Sequence, residues 1–482
     1  MFDLRPVGYV IGLMVAILGL TMLIPMGFDI YYQNDHWPVF LQSSLFVTAF
    51  GGLTALATAK QSRKGLGVQQ TFLLTTGVWL ALPIFGAIPF MLGPPEARVV
   101  DAFFEAMSGL TTTGATVFSG LDDLPEGVLL WRSMLQWFGG IGIIVVAMVF
   151  LPELRIGGMQ IFRSEAFDTM GKILPRAAQI AAHISLIYLG LTVACFITYV
   201  AFDMPRFMAL NHALTTMSTG GFSTHDASFG TYQGAPEYVA SVYMILASLP
   251  FVRYVQLVAG VSRPIFTDSQ IRAYLMTIAT LVLCLLVYRV VVNQDHLEHA
   301  FREALFNVTS IISGTGYASV DYQLWGAFPV VLFFFIGLIG GCAGSTACSV
   351  KIFRYQLLFS AVRAQIGKIH SPHGVFSTRY DGRPVSEEVM SSVMAFFVMF
   401  VVSVGVLSVL LGSTGLDFVT SVSGAATALA NIGPGLGDVI GPAGNFSSLG
   451  DTAKWLLAAG MLIGRLELMV VYMILTLKFW RG

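Results

Sequence analysis

Thr111-Thr112-Thr113-Gly114 is the first of four short segments that recur along this chain and determine its fold. The other three are Thr216-Met217-Ser218-Thr219-Gly220, Ile312-Ser313-Gly314-Thr315-Gly316 and Leu429-Ala430-Asn431-Ile432-Gly433. Each segment ends on a glycine, and successive glycines are roughly one hundred residues apart. A pattern that recurs at this spacing in an apolar chain predicts a fourfold pseudo-repeat around one axis.

The composition is that of an integral membrane protein. Of the 482 residues, 55% are hydrophobic and 11% are charged, and the mean hydropathy is +0.76. Soluble proteins average roughly 25% charged residues. A net charge of −1 gives no reason to expect binding to nucleic acid. The four cysteines form no CxxC pair and no ligand-like spacing with histidine, so we expect no disulfide framework and no zinc site.

Apolar runs of about 20 residues predict membrane spans. Ten such runs lie near 7–27, 38–59, 69–93, 127–151, 178–202, 236–260, 271–293, 326–350, 391–412 and 453–480. The first has no small-residue cleavage signature, so we interpret it as a retained span. Lysine and arginine concentrate in the connections after the even-numbered spans, which by the positive-inside rule places both termini in the cytoplasm.

The four glycine segments lie in the opposite connections, each after a helical run of about 12 to 15 residues that is too short to cross a bilayer. The residues nine positions before the glycines are Glu105, Asn211, Asn307 and Gly424. The predicted fold is therefore all-α, with two N-terminal helices followed by four units of helix, re-entrant half-helix, glycine loop and helix. The expected divisions are 1–67, repeats at 68–177, 178–268, 269–388 with an intramembrane loop at 340–350, and 389–482.

Irregular backbone at membrane depth occurs where it is buried in protein or lines a water-filled cavity. A half-helix directs the negative end of its dipole at such a cavity, and glycine lets the next carbonyl oxygens turn inward. Rings of carbonyl oxygens replace the hydration shell of a cation, and neighbouring hydroxyls without fixed charge suit a monovalent ion. The alternative is that each Ser/Thr-Gly tract is a tight helix contact.

These segments resemble those of the Trk/Ktr/HKT superfamily of potassium transporters, most closely the bacterial TrkH-type membrane subunit. The resemblance covers nearly the whole chain and includes Ser218-Thr219-Gly220-Gly221-Phe222 and Asn431-Ile432-Gly433-Pro434-Gly435. It implies a K⁺ pathway in the bacterial inner membrane, with K⁺ as substrate and no cofactor in this chain. The implied filter residues are Thr112, Thr113, Gly114, Ser218, Thr219, Gly220, Gly314, Thr315, Gly316, Asn431, Ile432 and Gly433. Ile432 and Pro434 make the fourth wall differ from the others.

The resemblance also implies a gate below the filter. Its candidate residues are Gly340, Gly341, Gly344, Ser345, Lys351 and Arg465. The small residues between 340 and 349 would form a movable intramembrane loop, or else a site of close helix packing. Arg465 is an intramembrane charge, which makes it a functional candidate by default. It would act as an electrostatic barrier to cations, or else belong to a structural ion pair.

The resemblance further implies a homodimer that docks a separate cytosolic ring of nucleotide-binding, RCK-type (TrkA-like) subunits. The basic stretches at 152–177 and 351–388 would serve that docking, although they could be positive-inside anchors alone. No P-loop and no nucleophile-base-acid set is visible, so we expect no enzyme. Gated K⁺ permeation is the leading function, and symport of K⁺ with Na⁺ or H⁺ is the alternative.

Overall fold

The computed structural model describes residues 3–59, 67–146, 158–159 and 177–481. The predicted basic stretch at 152–177 therefore lies largely outside the described residues. Within them the fold is the expected all-α membrane architecture, apart from a hairpin of two short strands, Arg379–Tyr380 and Arg383–Pro384. Seven of the described helices are long and apolar enough to cross a membrane.

The two N-terminal helices form a closely packed antiparallel pair. Arg5–Thr21 and Leu23–Tyr31 together make one span of 27 residues, and Trp37–Thr58 returns beside it. A Cβ at Gly12 would lie 2.7 Å from the Ala55 nitrogen and 2.8 Å from the Gly51 oxygen. Glycine is therefore required for the two backbones to approach this closely, as at other small-residue contacts between membrane helices.

Each repeat contains a leading helix, a short pore helix and a trailing helix. The leading helices are Val68–Gly86 continued by Ile88–Leu92, then Ala177–Ala201, Ser269–Val291 and Glu387–Gly412. The pore helices are Val99–Leu110, Arg206–Met217, Leu297–Ser313 and Phe418–Ala430. The last three-quarters of each pore helix is almost wholly buried, so these helices form the centre of the molecule rather than its lipid-facing surface.

The trailing helices differ more than the sequence predicted. That of repeat 1, Glu126–Val145, is continuous. In repeat 2, Ala235–Ala247 and Phe251–Val258 meet at 88°, and in repeat 4, Asp451–Arg465 and Met469–Leu475 meet at 112°. In repeat 3, Ala327–Gly337 is followed by no helix until Ile352–His370.

The runs near 236–260, 326–350 and 453–480 are thus not continuous spans, and each break has a local cause. Pro250 lacks the N–H that would continue the helix of repeat 2. Small residues replace helix formers in repeat 3. In repeat 4, Glu467 and Leu468 have positive φ, of 58° and 52°, which is incompatible with an α-helix.

The remaining elements are short and lie in the connections or after the broken trailing helix of repeat 4. They are the helices Arg263–Thr267, Gly437–Ile440 and Leu477–Arg481 and the 3₁₀ turns Leu121–Asp123, Ser228–Thr231 and Tyr322–Trp325.

Candidate functional site

The four pore helices end with the same backbone pattern. A residue with positive φ is followed, two positions later, by a glycine with positive φ. The pairs are Thr112 (53°) with Gly114 (83°), Thr219 (50°) with Gly221 (79°), Gly314 (76°) with Gly316 (79°), and Asn431 (52°) with Gly433 (109°). We call the three residues of each such segment a filter strand. Positive φ favours glycine, and this explains why glycine recurs at the second position of each pair.

Hydrogen bonds fix the same alignment independently. The middle residue of each filter strand donates its N–H to the carbonyl five residues earlier. These bonds are Thr113 to Ser108 (2.8 Å), Gly220 to Thr215 (2.9 Å), Thr315 to Ser310 (2.9 Å) and Ile432 to Thr427 (3.1 Å). The strand of repeat 2 is therefore Thr219-Gly220-Gly221, one residue later than the sequence alignment, and Ser218 precedes it.

The filter strands form a closed ring in which each glycine faces the carbonyl of the next repeat. A Cβ at Gly114 would overlap the Gly220 oxygen, and one at Gly221 would overlap the Thr315 oxygen. Likewise a Cβ at Gly316 would overlap the Ile432 oxygen, and one at Gly433 would lie 2.8 Å from the Thr113 oxygen. The contacts run head to tail from repeat 1 to repeat 4 and back, so four backbone carbonyls and four glycines surround one axis.

Two cavities lie on opposite sides of this ring. The first, which we call the glycine cavity, has a volume of about 240 Å³. It is lined by all four glycines of the ring, Gly114, Gly221, Gly316 and Gly433. The second, which we call the arginine cavity, has about 30 Å³ and is lined by Asn431, Cys348, Lys351 and Arg465, among others. The ring is thus open on one side and closely packed on the other.

Residues 338–351 form a buried loop that closes the side of the arginine cavity. The Ser349 N–H donates to the Ala430 carbonyl at the end of the fourth pore helix (2.9 Å). Cys348 lies directly below the ring, because its Sγ is 3.5 Å from the Thr112 hydroxyl and its Cβ is 3.0 Å from the position of a Cβ on Gly314. The loop therefore contacts filter strands of repeats 1 and 3.

The same loop is held on its other side by the break in the trailing helix of repeat 2. Cys342 donates its N–H to the Ser248 carbonyl (3.1 Å), and Thr346 bonds the Ala247 carbonyl through both N–H and hydroxyl. Phe251 donates to the Gly344 carbonyl (2.9 Å). The breaks in repeats 2 and 3 are consequently one structural unit. Backbone groups that have no partner in their own helix at one break form hydrogen bonds with those at the other.

Arg465 lies at the end of its helix and points at the buried loop. Its Nη1 donates to Cys348 Sγ at 2.6 Å, and its Nη2 contacts the Gly139 carbonyl at 3.4 Å. Its guanidinium carbon is 5.6 Å from the centre of the Trp79 ring. Glu467 has a different partner, Arg354, at 2.5 Å. The side chain of Lys351 turns back to the Ala347 carbonyl, so two cationic groups line one small cavity.

Comparisons with known proteins agree with this geometry. The sequence model of the TrkH family, described as a cation transport protein, matches residues 36–479. The chain belongs to the TrkH family. The potassium uptake protein TrkI of Halomonas elongata is 39% identical over 478 residues, covering 99% of this chain and 97% of that protein. The potassium uptake protein TrkH of Escherichia coli is 34% identical over 483 residues, covering 99% of both.

The TrkH-family fold is also shown by a solved structure. The crystal structure of the potassium transporter TrkH from Vibrio parahaemolyticus superposes with a TM-score of 0.92 at 33% identity, covering 100% of both chains. The expected family and fold class are confirmed. Members of the family are cation transport proteins, so this chain is a multi-pass membrane transport protein and not an enzyme.

The structure brings the predicted residues together with two changes. Gly221 takes the place in the ring that the sequence assigned to Gly220, because the Gly220-Gly221 pair offers two alignments. The candidates Gly341 and Gly344 lie toward the break of repeat 2, and Gly340 lies against the Cys348 carbonyl. Cys348 is the loop residue that contacts the ring. Sequence reasoning singled out no role for Cys348, and no signal in one sequence distinguishes it from the small residues around it.

In each repeat, a side chain of the pore helix bonds the loop that follows the filter strand. The bonds are Thr116 to Glu105 (2.9 Å), His212 with Ser223 (3.2 Å), Asn307 to Ser319 (3.0 Å) and Leu436 to Ser423 (2.9 Å). The corrected alignment explains this pattern. The position nine before the ring glycine is His212 in repeat 2, not Asn211, so a side chain at or beside this position makes the tie in every repeat.

Glu105 also forms a buried ion pair that sequence reasoning missed. Its carboxylate accepts from Arg132 Nε at 2.8 Å, and the two side chains are 0% and 1% exposed. Arg132 donates further to the Ser223 carbonyl at 2.8 Å and lies 4.3 Å from the centre of the Phe222 ring. This arginine therefore couples the pore helix of repeat 1 to the residues that follow the filter strand of repeat 2.

We expect Glu105→Gln to destabilise the protein substantially. Glutamine keeps the shape but leaves the Arg132 charge uncompensated, and breaking a buried pair costs about 3 to 5 kcal/mol. Thermal unfolding of the purified protein in detergent measures the effect. The control is Asp451→Asn, which breaks the exposed pair with Arg98, whose side chains are 61% and 57% exposed. Equal shifts in the two variants would contradict this prediction.

Hydrogen bonds between repeats 1 and 2 stabilise the rim of the glycine cavity. His225 bonds Asp122, and Asp226 accepts from the N–H groups of Gly120 (2.8 Å) and Leu121 (3.2 Å). The hydrogen bond from His225 lowers the pKa of the Asp122 carboxyl. The rim thus keeps a carboxylate charge to lower pH than a free aspartate would, which favours cations at the mouth of this cavity.

Proposed function

We propose that this chain conducts K⁺ across the bacterial cytoplasmic membrane through the ring of filter strands. The observation that carries the proposal is the closed head-to-tail ring, in which the carbonyls of Thr113, Gly220, Thr315 and Ile432 lie against the glycines of their neighbours. Backbone carbonyls in a ring can replace the hydration shell of a desolvated cation. The relatives named as potassium uptake proteins support K⁺ as that cation.

The chemistry of the ring favours a monovalent ion. The filter strands contain hydroxyl, amide and apolar side chains but no carboxylate. The nearby carboxylate of Glu105 is neutralised by Arg132 at 2.8 Å. Divalent cations are bound in proteins chiefly by carboxylate oxygens, so this ring is better suited to K⁺ than to Ca²⁺ or Mg²⁺. Thr112, Thr113, Thr219, Thr315 and Asn431 supply the uncharged groups.

We propose that passive conduction, not symport with Na⁺ or H⁺, is the transport mode. Each of four buried glutamates is paired with an arginine. These pairs are Glu105 with Arg132, Glu237 with Arg302, Glu303 with Arg289 and Glu467 with Arg354. A carboxylate held in an ion pair is poorly placed to bind and release a coupling proton or Na⁺.

Flux measurements in proteoliposomes that contain the purified chain test this function. We expect K⁺ to move down its electrochemical gradient and Na⁺ to move more slowly under the same driving force. Uphill K⁺ movement driven by an imposed Na⁺ or H⁺ gradient would establish the symport alternative. Absence of K⁺ flux under any gradient, with correctly folded protein, would contradict both modes.

The buried loop at residues 338–351 is proposed as the gate. It lies against the ring through Cys348 and Ser349, and it carries the candidates Gly340, Gly341, Gly344 and Ser345. Lys351 and Arg465 place positive charge in the arginine cavity, where a cation leaving the ring would pass. A closed loop would thus obstruct the path both sterically and electrostatically.

We expect deletion of residues 340–349 to produce constitutive K⁺ flux, because the obstruction below the ring is then absent. Flux in proteoliposomes without any regulatory protein measures the result. Gel filtration and thermal unfolding establish that the deleted protein is folded. A folded deletion variant that conducts no more than the parent chain would exclude the loop as a gate.

Assembly and orientation complete the proposal. By the charge distribution of the connections, both termini lie in the cytoplasm. The chain would act as a homodimer that docks a cytosolic ring of nucleotide-binding, RCK-type subunits, and regulation by nucleotide would belong to that partner. Copurification of the two proteins and the mass of the purified chain in detergent test these two points.

A further inference from the structure

An apolar cavity of about 500 Å³ lies away from the filter ring, between the first N-terminal helix and the leading and trailing helices of repeat 1. Its walls include Leu18 and Met14 of the first helix, Leu74 and Trp79 of the leading helix, and Leu110 at the end of the first pore helix. The conduction site described above does not use this cavity.

The hydroxyl groups in the wall are already hydrogen-bonded within the protein. The three hydroxyl groups of the lining are those of Thr21, Thr75 and Ser185. Each donates to a carbonyl of its own helix, at 2.7 Å to Leu18, 2.8 Å to Thr71 and 2.8 Å to Ala181. A buried water requires two to four polar partners, and an apolar cavity of even 150 Å³ stays dry and accepts apolar ligands. This cavity is therefore suited to a hydrocarbon.

The shape of the cavity points to the source of that hydrocarbon. On the first helix, Met14 and Ile17 are 36% and 45% exposed, on a face of a membrane span that the described residues leave uncovered. At the other end, Trp79 and Leu110 are each 3% exposed. The cavity thus opens to the bilayer and ends inside the protein, and the fluid that surrounds its mouth consists of acyl chains.

We propose that the cavity binds one acyl chain of a membrane phospholipid, with the end of the chain against the Trp79 ring. The position of the site gives the occupant access to the proposed gate. Trp79 lies 5.6 Å from the guanidinium carbon of Arg465, and Leu110 directly precedes the filter segment of repeat 1. The first N-terminal helix, which is not part of the fourfold repeat, acquires a function as one wall of a lipid site.

Quenching of tryptophan fluorescence by brominated lipid tests the proposal directly. The protein is reconstituted in vesicles of phosphatidylcholine with either ordinary or dibrominated acyl chains. The emission of Trp79 is obtained as the difference between the parent chain and Trp79→Phe in each lipid. Because Trp79 is buried from the bilayer, we expect its emission to fall in brominated lipid only if a chain enters the cavity. Equal Trp79 emission in the two lipids would overturn the proposal.

Two controls separate the cavity from general lipid contact. Trp131 is also buried, at 0% exposure, and its indole donates to the Gly86 carbonyl. The emission of Trp131, obtained as the difference between the parent chain and Trp131→Phe, should be equal in ordinary and brominated lipid. Val78 lines the cavity, whereas Leu80 on the same helix is 43% exposed and does not. Val78→Phe should fill the space and restore Trp79 emission, and Leu80→Phe should not.

Quenching that persists in Val78→Phe as strongly as in Leu80→Phe would place the bromine outside the cavity and contradict the proposal. The readout is fluorescence and not transport. Its result is therefore independent of whether the chain conducts K⁺.

Discussion

Gly316→Ser should reduce the discrimination of K⁺ over Na⁺ by about tenfold or more, a factor that corresponds to about 1.4 kcal/mol. Gly316 has φ of 79°, and a Cβ there would overlap the Ile432 carbonyl and lie 2.8 Å from Pro434 Cδ. The filter strand of repeat 3 must therefore move away from that of repeat 4, which widens the ring. The ratio of K⁺ to Na⁺ flux in proteoliposomes measures the change.

The control for this prediction is Gly382→Ser. Gly382 has φ of 77°, but a Cβ at that position would meet nothing within 4 Å. This variant carries the same kind of backbone strain without the contact in the ring, so its flux ratio should equal that of the parent chain. If Gly316→Ser also leaves the ratio unchanged, the ring does not determine selectivity.

Arg465→Ala should raise the basal K⁺ flux by about tenfold, which corresponds to about 1.4 kcal/mol of barrier. The substitution removes a buried positive charge beside the path and the bond from Nη1 to Cys348 Sγ at 2.6 Å. Both effects lower the obstruction below the ring. Flux without a regulatory partner, normalised to the amount of folded protein, is the relevant measurement.

Cys348→Ser and the double variant distinguish a gate from a structural arginine. If Arg465 acts partly by holding the loop, the fold increase in flux of the double variant Arg465→Ala/Cys348→Ser should be smaller than the product of the fold increases of the two single variants. Unaltered basal flux in Arg465→Ala, at normal expression and stability, would instead show that Arg465 only stabilises the helix bundle.

The sequence predicted the repeats because the glycine positions are imposed by the backbone. The last residue of each filter strand has positive φ and lies against a carbonyl of the next repeat, which leaves no room for a Cβ. This position is therefore restricted to glycine, so it recurs visibly even when its neighbours vary. The alignment of repeat 2 was wrong by one residue for the same reason. Gly220 and Gly221 are both glycine, and only the backbone hydrogen bonds and dihedrals show that Gly221 occupies the ring position.

Hydropathy could not reveal the breaks in the trailing helices of repeats 2 and 4, since the apolar run continues through them. Pro250 was a visible signal in repeat 2. In repeat 4, Glu467 and Leu468 carry no signal, because neither residue type favours the positive φ that both adopt. The ion pair of Glu105 and Arg132 was equally hidden, since it joins residues that sequence patterns treat as separate elements.

The head-to-tail order of the ring gives the four walls a direction. Each glycine is constrained by the carbonyl of the following wall and, through its own strand, constrains the preceding one. The compensating change for a substitution in one wall should therefore lie in the wall whose carbonyl that glycine contacts. For a substitution at Gly316 it should lie near Ile432, and for one at Gly221 it should lie near Thr315. Single-chain construction lets the walls diverge in sequence, but this cyclic contact restricts the order in which they can do so.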